Sequence, residues 1–463
     1  MNKGTHNNLI FVLLFVTGCT AHYPVNQSLE NIDRSGGYRV AATQAGDVRS
    51  DTLMVSMAFS GGGTRAAAFS YGVLEAMREI TINWDGRERR LVDEVDTISS
   101  VSGGSFTAAY FGLFGDRIFE DYEEKFLKND VEGYLTGSLF KPWMWPRIGS
   151  TFFGRSDFAA DYYDKILFEG KTFADILARN GPVIQINATE VATGTQITFL
   201  QDQFDLLCSD LLSFPVARAV AASSAVPVLF SSITINNYAG TCDYQLLPWA
   251  QAALNDPDAT SRRHHLAKKF AQWLDRDSYP YLHLYDGGLT DNLGVRPLLN
   301  RIAIMGDAWT LGKQTGRTDI KRVIIIVVNA QADSKIQFSK LPSPVPLMDA
   351  ILGATSIPLN EYTYESLLSL HNEMIDFGDG YRKGRCADMA NRGLDTTGCD
   401  DLRTYLVVVD LDQIKDRERR ERLKLLPTSF VLNPEDVDEL KQAARELLLQ
   451  SIEFQRFLAE MKE

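Results

Sequence analysis

The chain contains few of the residues from which proteins build metal centres. Among its 463 residues there are five cysteines and six histidines. No Cys-x-x-Cys pair occurs, and no group of cysteines and histidines has the spacing of metal ligands. We therefore expect no metal site and no cofactor.

Hydrophobic runs long enough to cross a membrane are also missing. The apolar run at residues 9–16 follows Lys3, and its length falls far short of a bilayer span. This is the layout of a signal peptide. Cys19 directly follows Thr17 and Gly18, which resembles the lipobox of bacterial lipoproteins.

The lipobox resemblance implies that residues 1–18 are removed and that Cys19 becomes the lipidated first residue of the mature chain. The protein would then be anchored in a membrane of the bacterial cell envelope. Thr20 in place of an aspartate favours the outer membrane, whereas the periplasmic or surface face stays open. The alternative is an ordinary secretory signal followed by a chance cysteine.

An excess of positive charge is absent as well. The formal net charge is −13, and removal of residues 1–18 takes away only Lys3. Long-range attraction to nucleic acid or to anionic lipid is therefore not expected. With 45% hydrophobic and 23% charged residues, the composition is that of a folded globular protein.

The four cysteines beyond Cys19 are an even number in an oxidising compartment, so we expect them to be paired. Cys386 and Cys399 bracket a polar loop that contains glycine, which favours a disulfide between them. Cys208 and Cys242 then pair by elimination.

Apolar runs alternate with helical patterns along most of the chain, which predicts an α/β layered fold. Strands are expected at residues 53–59, 95–101, 183–188, 196–200, 281–285, 321–328 and 404–409. A helix is expected at residues 66–80. Residues 19–50 are polar and turn-rich, so they are interpreted as a flexible tether with a reach of roughly 30 Å.

The C-terminal region carries an amphipathic helix signal. Asn433 and Pro434 are typical of the start of a helix. Mostly apolar residues then recur at three- and four-residue steps, namely Val437, Leu440, Ala444, Leu447, Ser451, Phe454 and Leu458. Such a stripe usually packs on its own domain. Membrane or partner docking is the alternative.

Ser102 is the first candidate for chemistry. It ends an apolar, β-branched run and is flanked by Ser100, Gly103 and Gly104. A serine among small residues at a strand-to-helix turn is typical of a nucleophile elbow, where the turn exposes one hydroxyl above a sheet. The alternative is a tight loop in which the serine has no catalytic role.

A serine nucleophile needs donors for the oxyanion of its tetrahedral intermediate. Gly61, Gly62 and Gly63 follow the first predicted strand and open a helix, so their amides are candidates, and Arg65 either braces this loop or faces an anionic head group. The same glycines also fit a dinucleotide-binding pattern. That fold expects an acidic residue after the next strand, where this chain has Ser102.

The nucleophile also needs a base. Asp286 ends a predicted strand and is followed by Gly287 and Gly288, which allow a close approach of backbone. His264 and His265 lie in a strongly basic segment that is interpreted as a solvated helix face.

Four blocks in this order resemble the patatin-like phospholipases. They are Ser60 to Arg65, Ser100 to Gly104, Ala222 to Pro227, and Asp286 to Gly288 with Asp291 and Asn292. A weaker fifth block is Asn187 to Glu190, followed by Thr193 and Gly194. The resemblance spans roughly residues 52–330.

The resemblance implies a three-layer α/β/α sandwich with a central, mostly parallel sheet. The catalytic domain would cover residues 51–330, with cap insertions near 115–180 and 236–280, and residues 331–463 would form an extension packed on it. The family's machinery is a Ser–Asp dyad, which assigns the nucleophile to Ser102 and the base to Asp286. The glycine amides would hold the oxyanion, supported by Arg65.

The implied reaction is hydrolysis of lipid esters, of the phospholipase A or lysophospholipase type, through an acyl-enzyme on Ser102. A Ser–His–Asp carboxylesterase that uses His283 or His371 is one alternative. A non-catalytic lipoprotein that binds lipid or an envelope partner is another. Two departures from the family pattern, Ser100 and Ala66 in place of glycines, put turnover in doubt.

The insertion at residues 115–180 contains a cluster of aromatic residues, namely Phe140, Trp143, Trp145, Phe152 and Phe153. Aromatic residues usually pack under a long loop, and burial is the expectation here. A lid or an anchor at a lipid surface is the alternative.

Overall fold

The computed structural model describes residues 22–40, 49–148, 150–332 and 342–461. The predicted signal peptide at residues 1–18 and Cys19 lie outside the described residues. No helix within the described ranges is both long enough and apolar enough to cross a membrane.

The described ranges contain ten strands. They are β1 (Leu53–Phe59), β2 (Thr81–Trp84), β3 (Arg87–Arg90), β4 (Val95–Val101), β5 (Val183–Glu190), β6 (Thr195–Thr198), β7 (Ile233–Asn236), β8 (Tyr281–Asp286), β9 (Arg322–Asn329) and β10 (Arg403–Asp410). Strands β2 and β3 form a separate hairpin.

The α-helices pack around the sheet that most of the other strands form. They are α1 (Gly63–Arg78), α2 (Gly103–Phe114), α3 (Ile118–Tyr122), α4 (Val131–Leu139), α5 (Trp145–Ile148), α6 (Arg155–Tyr163), α7 (Phe173–Arg179), α8 (Gln201–Phe204), α9 (Val216–Ser223), α10 (Pro248–Leu254), α11 (Arg262–Trp273), α12 (Arg296–Met305), α13 (Ala308–Gln314), α14 (Leu347–Asn391), α15 (Arg417–Lys424), α16 (Pro434–Gln450) and α17 (Ile452–Glu460).

The central sheet has the order β10-β9-β1-β4-β5-β8-β7, and β6 pairs with β5. Neighbours from β10 to β5 are parallel, whereas β6 and β8 run antiparallel to β5. Strands β1 and β9 are apolar along nearly their whole length because both faces of the sheet are covered.

Alternate side chains of these strands enter two apolar cores. Ile324 and Ile326 belong to the core on the α1, α2 and α16 side of the sheet. Val323 and Ile325 belong to the core under α12, α13 and α14. The fold is therefore the three-layer α/β/α arrangement with a mostly parallel sheet that the sequence predicts.

The expectation of a flexible tether is wrong for residues 22–40, because three of its side chains are fixed to the domain. Tyr38 is fully buried, and its hydroxyl hydrogen-bonds to the backbone of Ile184. Asn26 donates to Ser209 at 2.8 Å, and Arg39 pairs with Asp205 at 2.6 Å.

The C-terminal extension is part of the sheet rather than a layer added to it, since it contributes the edge strand β10. Its amphipathic pattern forms two helices instead of one. Ser451 has an extended backbone and caps α17 by accepting a hydrogen bond from the amide of Phe454. The apolar stripe packs on the domain, where Val437, Leu440 and Phe454 are buried.

Two further sequence expectations have definite outcomes in the structure. Cys208 is bonded to Cys242, and Cys386 to Cys399, which are the expected pairs. The expectation that the aromatic cluster is buried is confirmed for Phe153 and is wrong for three other members. Phe140, Trp145 and Phe152 are 81%, 61% and 52% exposed, and the side chain of Trp143 is outside the described part.

Candidate active site

Ser102 stands at the sharp turn between β4 and α2. Its φ of +50° and ψ of −121° are rare for a residue with a side chain, and such strain concentrates at functional sites. The turn is tight enough to require glycine next to it. A Cβ on Gly103 would lie 2.0 Å from the carbonyl oxygen of Gly63, and one on Gly104 would lie 2.7 Å from that of Ser60.

The Ser102 hydroxyl donates a hydrogen bond to Oδ2 of Asp286 at 2.8 Å. The sheet register brings the two residues to the same level. Val101 of β4 pairs with Asn187 of β5, and Asp286 of β8 pairs with the next residue, Ala188. The Ser102 and Asp286 side chains therefore meet across the end of β5, and both are buried.

The Asp286 carboxylate is held from its other side by the loop that follows it. Its Oδ1 accepts the amide hydrogen of Gly288 at 2.8 Å, and its own amide donates to the carbonyl of Ala225 at 3.0 Å. Burial raises the pKa of Asp286 to about 6, against the lowering effect of the hydrogen bonds from Gly288 and Ser102. The side chain is thus a stronger base than an exposed aspartate and is still ionised at neutral pH.

The glycine loop lies directly against the nucleophile. A Cβ on Gly61 would lie 3.2 Å from Cβ of Ser102, so the loop backbone is in contact with the serine. The Gly61 amide donates to the carbonyl of Asn292 at 2.9 Å. This amide is consequently not available to an oxyanion, and its predicted role needs correction.

The amides of Gly62 and Gly63 have no hydrogen-bond partner in the described part of the chain. Both residues have positive φ, +141° and +60°, and they stand at the start of the sixteen-residue helix α1. Free amides at a helix N-terminus form a favourable site for negative charge. Gly62 and Gly63 therefore remain candidates for oxyanion donors, whereas Gly61 does not.

Arg65 is buried in the first turn of α1, where it braces the loop. Its guanidinium donates to the carbonyls of Ala330 and Leu426 and, at 3.1 Å, to the hydroxyl of Thr428. Burial lowers the pKa of Arg65 to about 10, and none of its hydrogen-bond partners is a carboxylate. Of the two roles considered for this residue, bracing is the one that the contacts support.

A network of serines beneath the turn was not recognised in the sequence as part of the site. The Ser102 amide donates to the hydroxyl of Ser223 at 2.9 Å, and that hydroxyl donates to the carbonyl of Asn187 at 2.6 Å. Ser105 connects Ser223 to Ser100 at 2.9 and 3.1 Å. Ser100 is therefore a member of this network and not merely a substitute for glycine.

The candidate histidines do not reach Ser102. His283 is exposed on β8, with Nδ1 at 3.1 Å from the hydroxyl of Thr234, and His371 is exposed on α14. In the described ranges no group of His, Cys, Asp and Glu residues is arranged to hold a metal ion.

Two comparisons find known proteins to which the chain is similar. A family model described as "Patatin-like phospholipase" matches residues 57–299. Two solved structures of human GIVD cytosolic phospholipase A2, one with methyl gamma-linolenyl fluorophosphonate and one with that inhibitor and terbium chloride, are each 12% identical to the chain. Their TM-scores are 0.39 and 0.41.

The alignments with these two structures cover 89% and 92% of the chain but only 59% and 62% of the phospholipase chains. The chain thus spans less than two thirds of the length of these relatives. A comparison with curated proteins found no match.

Proposed function

The chain belongs to the patatin-like phospholipase family of lipid acyl hydrolases, and from this premise we propose that it hydrolyses phospholipid or lysophospholipid esters with Ser102 and Asp286 as its catalytic dyad. The observation that carries the proposal is the 2.8 Å hydrogen bond between these two buried side chains at a strained turn. The nucleophile, the base and the free amides all lie around one point at the end of β4 and β5.

In the first half of the reaction, Asp286 takes the hydroxyl proton while Oγ of Ser102 attacks the ester carbonyl. The carbonyl oxygen becomes an oxyanion that accepts hydrogen bonds from the amides of Gly62 and Gly63. The carbon–oxygen bond to the alcohol then breaks. Asp286 returns its proton to the departing oxygen, which leaves the acyl group on Ser102.

In the second half of the reaction, a water molecule enters the place that the alcohol has left and acts as the nucleophile. Asp286 removes a proton from the water as its oxygen attacks the acyl carbon, and the same donors stabilise the second oxyanion. Ser102 leaves and recovers its proton from Asp286, which releases the fatty acid. A carboxylate with a pKa of about 6 suits both directions of proton transfer near neutral pH.

A fluorophosphonate probe and vesicle hydrolysis test the dyad together. We expect the probe to label the wild-type protein and Ser224→Ala, a matched control whose hydroxyl donates to the carbonyl of Val220 and makes no hydrogen bond to Ser102. Ser102→Ala is expected to lose both the label and hydrolysis while staying folded. Retained hydrolysis in Ser102→Ala would refute the proposal.

Two histidine variants separate the dyad from a Ser–His–Asp esterase. We expect His283→Ala and His371→Ala to keep their activity. A loss of about two orders of magnitude in either one would favour the triad instead. Mass spectrometry of the products from mixed phospholipid vesicles then gives the position and the head group that the enzyme prefers.

We also propose that Cys19 anchors the mature chain to the bacterial cell envelope. The support is the run at residues 9–16 followed by Thr17, Gly18 and Cys19. Metabolic labelling with a radioactive fatty acid is expected to mark the wild-type chain and not Cys19→Ser. Equal labelling of both chains would contradict the anchor.

A further inference from the structure

A cavity of about 660 Å³ opens beside the sheet, away from Ser102. Its walls come from β6, α10, α11 and α12, and neither Ser102 nor Asp286 lines it. Thr290 lies in its wall and donates through its amide to the carbonyl of Gly287 at 3.1 Å. The cavity and the catalytic carboxylate therefore adjoin the same loop.

The lining of this cavity is strongly cationic in a chain whose net charge is −13. Seven Lys and Arg side chains line it together with His265, against the single carboxylate of Asp202. Asp202 is itself paired with Arg39 at 2.5 Å. The cations supplied by α11 and α12 are Arg262, Arg263, Lys269, Arg296 and Arg301, whereas burial and the neighbouring positive charges lower the pKa of His265 and favour its neutral form.

Three of these arginines make no direct contact with a carboxylate of the described residues, although Asp291 and Asp202 act electrostatically on Arg296 and Arg301 from beyond ion-pair distance. In the described part of the chain, the guanidinium groups of Arg263, Arg296 and Arg301 make no hydrogen bond and no ion pair, and Nε of Arg263 is buried without any partner. Arg296 lies 5.9 Å from the ring of Tyr362. Burial, and after it the charge of Arg296, lowers the pKa of both Lys269 and Arg262.

Like charges that lie close together in a half-buried cavity raise the free energy of the folded protein. A bound anion offsets this repulsion. The remaining wall is apolar and aromatic, with Leu266, Trp249 and Phe270 among its members. The volume is in the range of sites for small organic ligands, and an inorganic phosphate would fill only a small part of it. The cavity thus matches a ligand with both an anionic head and an apolar body.

We propose that this cavity binds a phosphate-bearing organic anion, held by Arg263, Arg296 and Arg301 through its phosphate and by Trp249 and Phe270 through its body. Nucleotides and anionic phospholipids both have this chemistry. Arg34 and His265 are exposed at the cavity, which gives the ligand access from solvent. The site is separate from the proposed dyad.

Calorimetric titration of the full-length Ser102→Ala protein tests the cavity without turnover. The probes are ATP, inorganic pyrophosphate and dihexanoyl phosphatidic acid, with zwitterionic dihexanoyl phosphatidylcholine for comparison. We expect saturable binding of at least one phosphate probe, weaker at high salt. Binding of ATP alone identifies a nucleotide site, and binding of phosphatidic acid alone identifies a lipid site.

The double substitution Arg263→Gln/Arg301→Gln is expected to weaken this binding at least about tenfold, as the loss of charge-assisted hydrogen bonds implies. Lys268→Gln is the matched control, since Lys268 is exposed on the same helix and does not line the cavity. If the double variant fails to fold, the single substitution Arg296→Gln takes its place, since Arg296 is half-buried and belongs to the proposed phosphate site. No saturable binding of any phosphate probe, or unchanged binding in the variant, would overturn the proposal.

A second, independent observation concerns exposed apolar side chains in residues 140–152 and in the loop at 226–230. Phe140, Trp145 and Phe152 are exposed along one segment, and Leu229 is 54% exposed on the loop at 226–230. The two segments are joined, because Arg155 donates to the carbonyl of Val228 at 3.0 Å. We call these four exposed side chains the apolar rim.

The proposed anchor would hold the apolar rim close to a membrane. The Tyr23 amide donates to the carbonyl of Phe152 at 2.8 Å, and the rings of His22 and Phe152 lie 5.2 Å apart. Cys19 is only three residues before His22, and three residues span at most about 11 Å. A lipid on Cys19 therefore cannot lie far from Phe152.

The apolar rim also adjoins the candidate active site. Ala225, whose carbonyl accepts the Asp286 amide, immediately precedes the loop at 226–230. Phe230 of that loop packs on Phe430 at 6.1 Å between ring centroids, next to Ser429, whose carbonyl accepts the Thr64 amide at the start of α1. Both sides of the site are thus connected to the rim.

We infer that the apolar rim docks on the bilayer that carries the Cys19 lipid, so that the enzyme acts on phospholipids of its own membrane. This inference rests on the proposed function and on the anchor. Aromatic side chains at such a face suit the lipid–water boundary.

Hydrogen exchange tests docking separately from catalysis. In the lipidated Ser102→Ala protein, peptides at 140–152 and 226–231 are expected to exchange more slowly in phosphatidylethanolamine–phosphatidylglycerol vesicles than in detergent. Peptides at 357–375, which also carry exposed apolar residues, are the control. Equal exchange of the rim in both media would overturn the inference, whatever the outcome for the dyad.

In catalytically intact protein, the rim variant Phe140→Ser/Trp145→Ser/Phe152→Ser/Leu229→Ser is expected to keep hydrolysis of a soluble ester. Its hydrolysis of vesicle lipid should fall at least about tenfold, because the variant loses several apolar side chains that docking would bury in the bilayer. Ile357→Ser/Tyr364→Ser/Ile375→Ser is the matched control. Unchanged vesicle hydrolysis in the rim variant would contradict docking.

Discussion

Ser102 and Asp286 follow strands that are not neighbours in the sheet, yet their side chains meet at 2.8 Å. Strand β5 lies between β4 and β8, and β8 runs antiparallel to it. The pairing of β8 with β5 ends at Asp286, opposite Ala188, one residue beyond the point where β4 ends opposite Asn187. The contact therefore depends on this register, which stops β8 level with the end of β4.

The proposed base gives the reaction a defined pH dependence. Burial raises the pKa of Asp286 to about 6, and only its ionised form accepts a proton, so kcat/KM should rise with pH and level off above about 6. Asp286→Asn should lose this rise together with about 10²–10⁴-fold of activity. A pH–rate profile on a soluble ester measures both effects. A profile with the same rise in Asp286→Asn would assign the titration to another group.

The glycine loop offers a test of the oxyanion donors. Gly63 has a φ of +60°, and a Cβ there would lie 2.4 Å from the carbonyl oxygen of Ser429. Gly63→Ala must displace the loop, and a misplaced donor is expected to cost about 10²–10³-fold in kcat. Gly86→Ala is the control, because Gly86 has a similar φ of +69° and nothing within 4 Å of its added Cβ. Equal kcat in both variants would remove Gly63 from the site.

Ser223 is expected to act as a positioning residue. Its hydroxyl accepts the Ser102 amide, so Ser223→Ala leaves that amide unpaired and relaxes the turn. We expect kcat to fall about tenfold or more with little change in KM, as a displaced nucleophile implies. Ser224→Ala should change neither constant. A rise in KM alone would show that Ser223 serves binding instead.

The parts of the site that the sequence predicts are those that local chain geometry determines. Strands β1 and β4 have the predicted bounds because their apolar runs end at glycine- and serine-rich turns. Ser102 and Asp286 occur at such strand ends, where a side chain is exposed to the edge of the sheet. Strand β7 was not predicted, since four residues carry too little periodicity.

Features that depend on distant partners could not be predicted in the same way. Residues 22–40 have the composition of a tether, but Tyr38 and Arg39 find partners more than 140 residues away. The basic segment around His265 was interpreted as a solvated face, whereas α12 brings further arginines opposite it. Helix α14 continues through Pro358 over 45 residues, which the sequence pattern did not predict.

The buried Asp286 carboxyl should make the stability of the wild type depend on pH in the direction opposite to a salt-bridged carboxylate. The pKa of Asp286 is about 6 in the folded protein and close to 3.8 in the unfolded chain, so folding favours the protonated form. Ionisation therefore costs stability, and this cost grows as pH rises from about 4 to 6 and persists above that range. A difference of about two pKa units corresponds to roughly 2–3 kcal/mol.

Asp286→Asn keeps an acceptor for the Gly288 amide and removes the buried charge. We expect its free energy of unfolding to exceed that of the wild type at pH 8 and to approach it at about pH 3, where the aspartate is largely protonated in both states. Denaturant unfolding at the two pH values, with Asp243→Asn as an exposed control, measures the difference. A variant that is less stable than the wild type at pH 8 would mean that the Ser102–Asp286 hydrogen bond outweighs the cost of burying the charge.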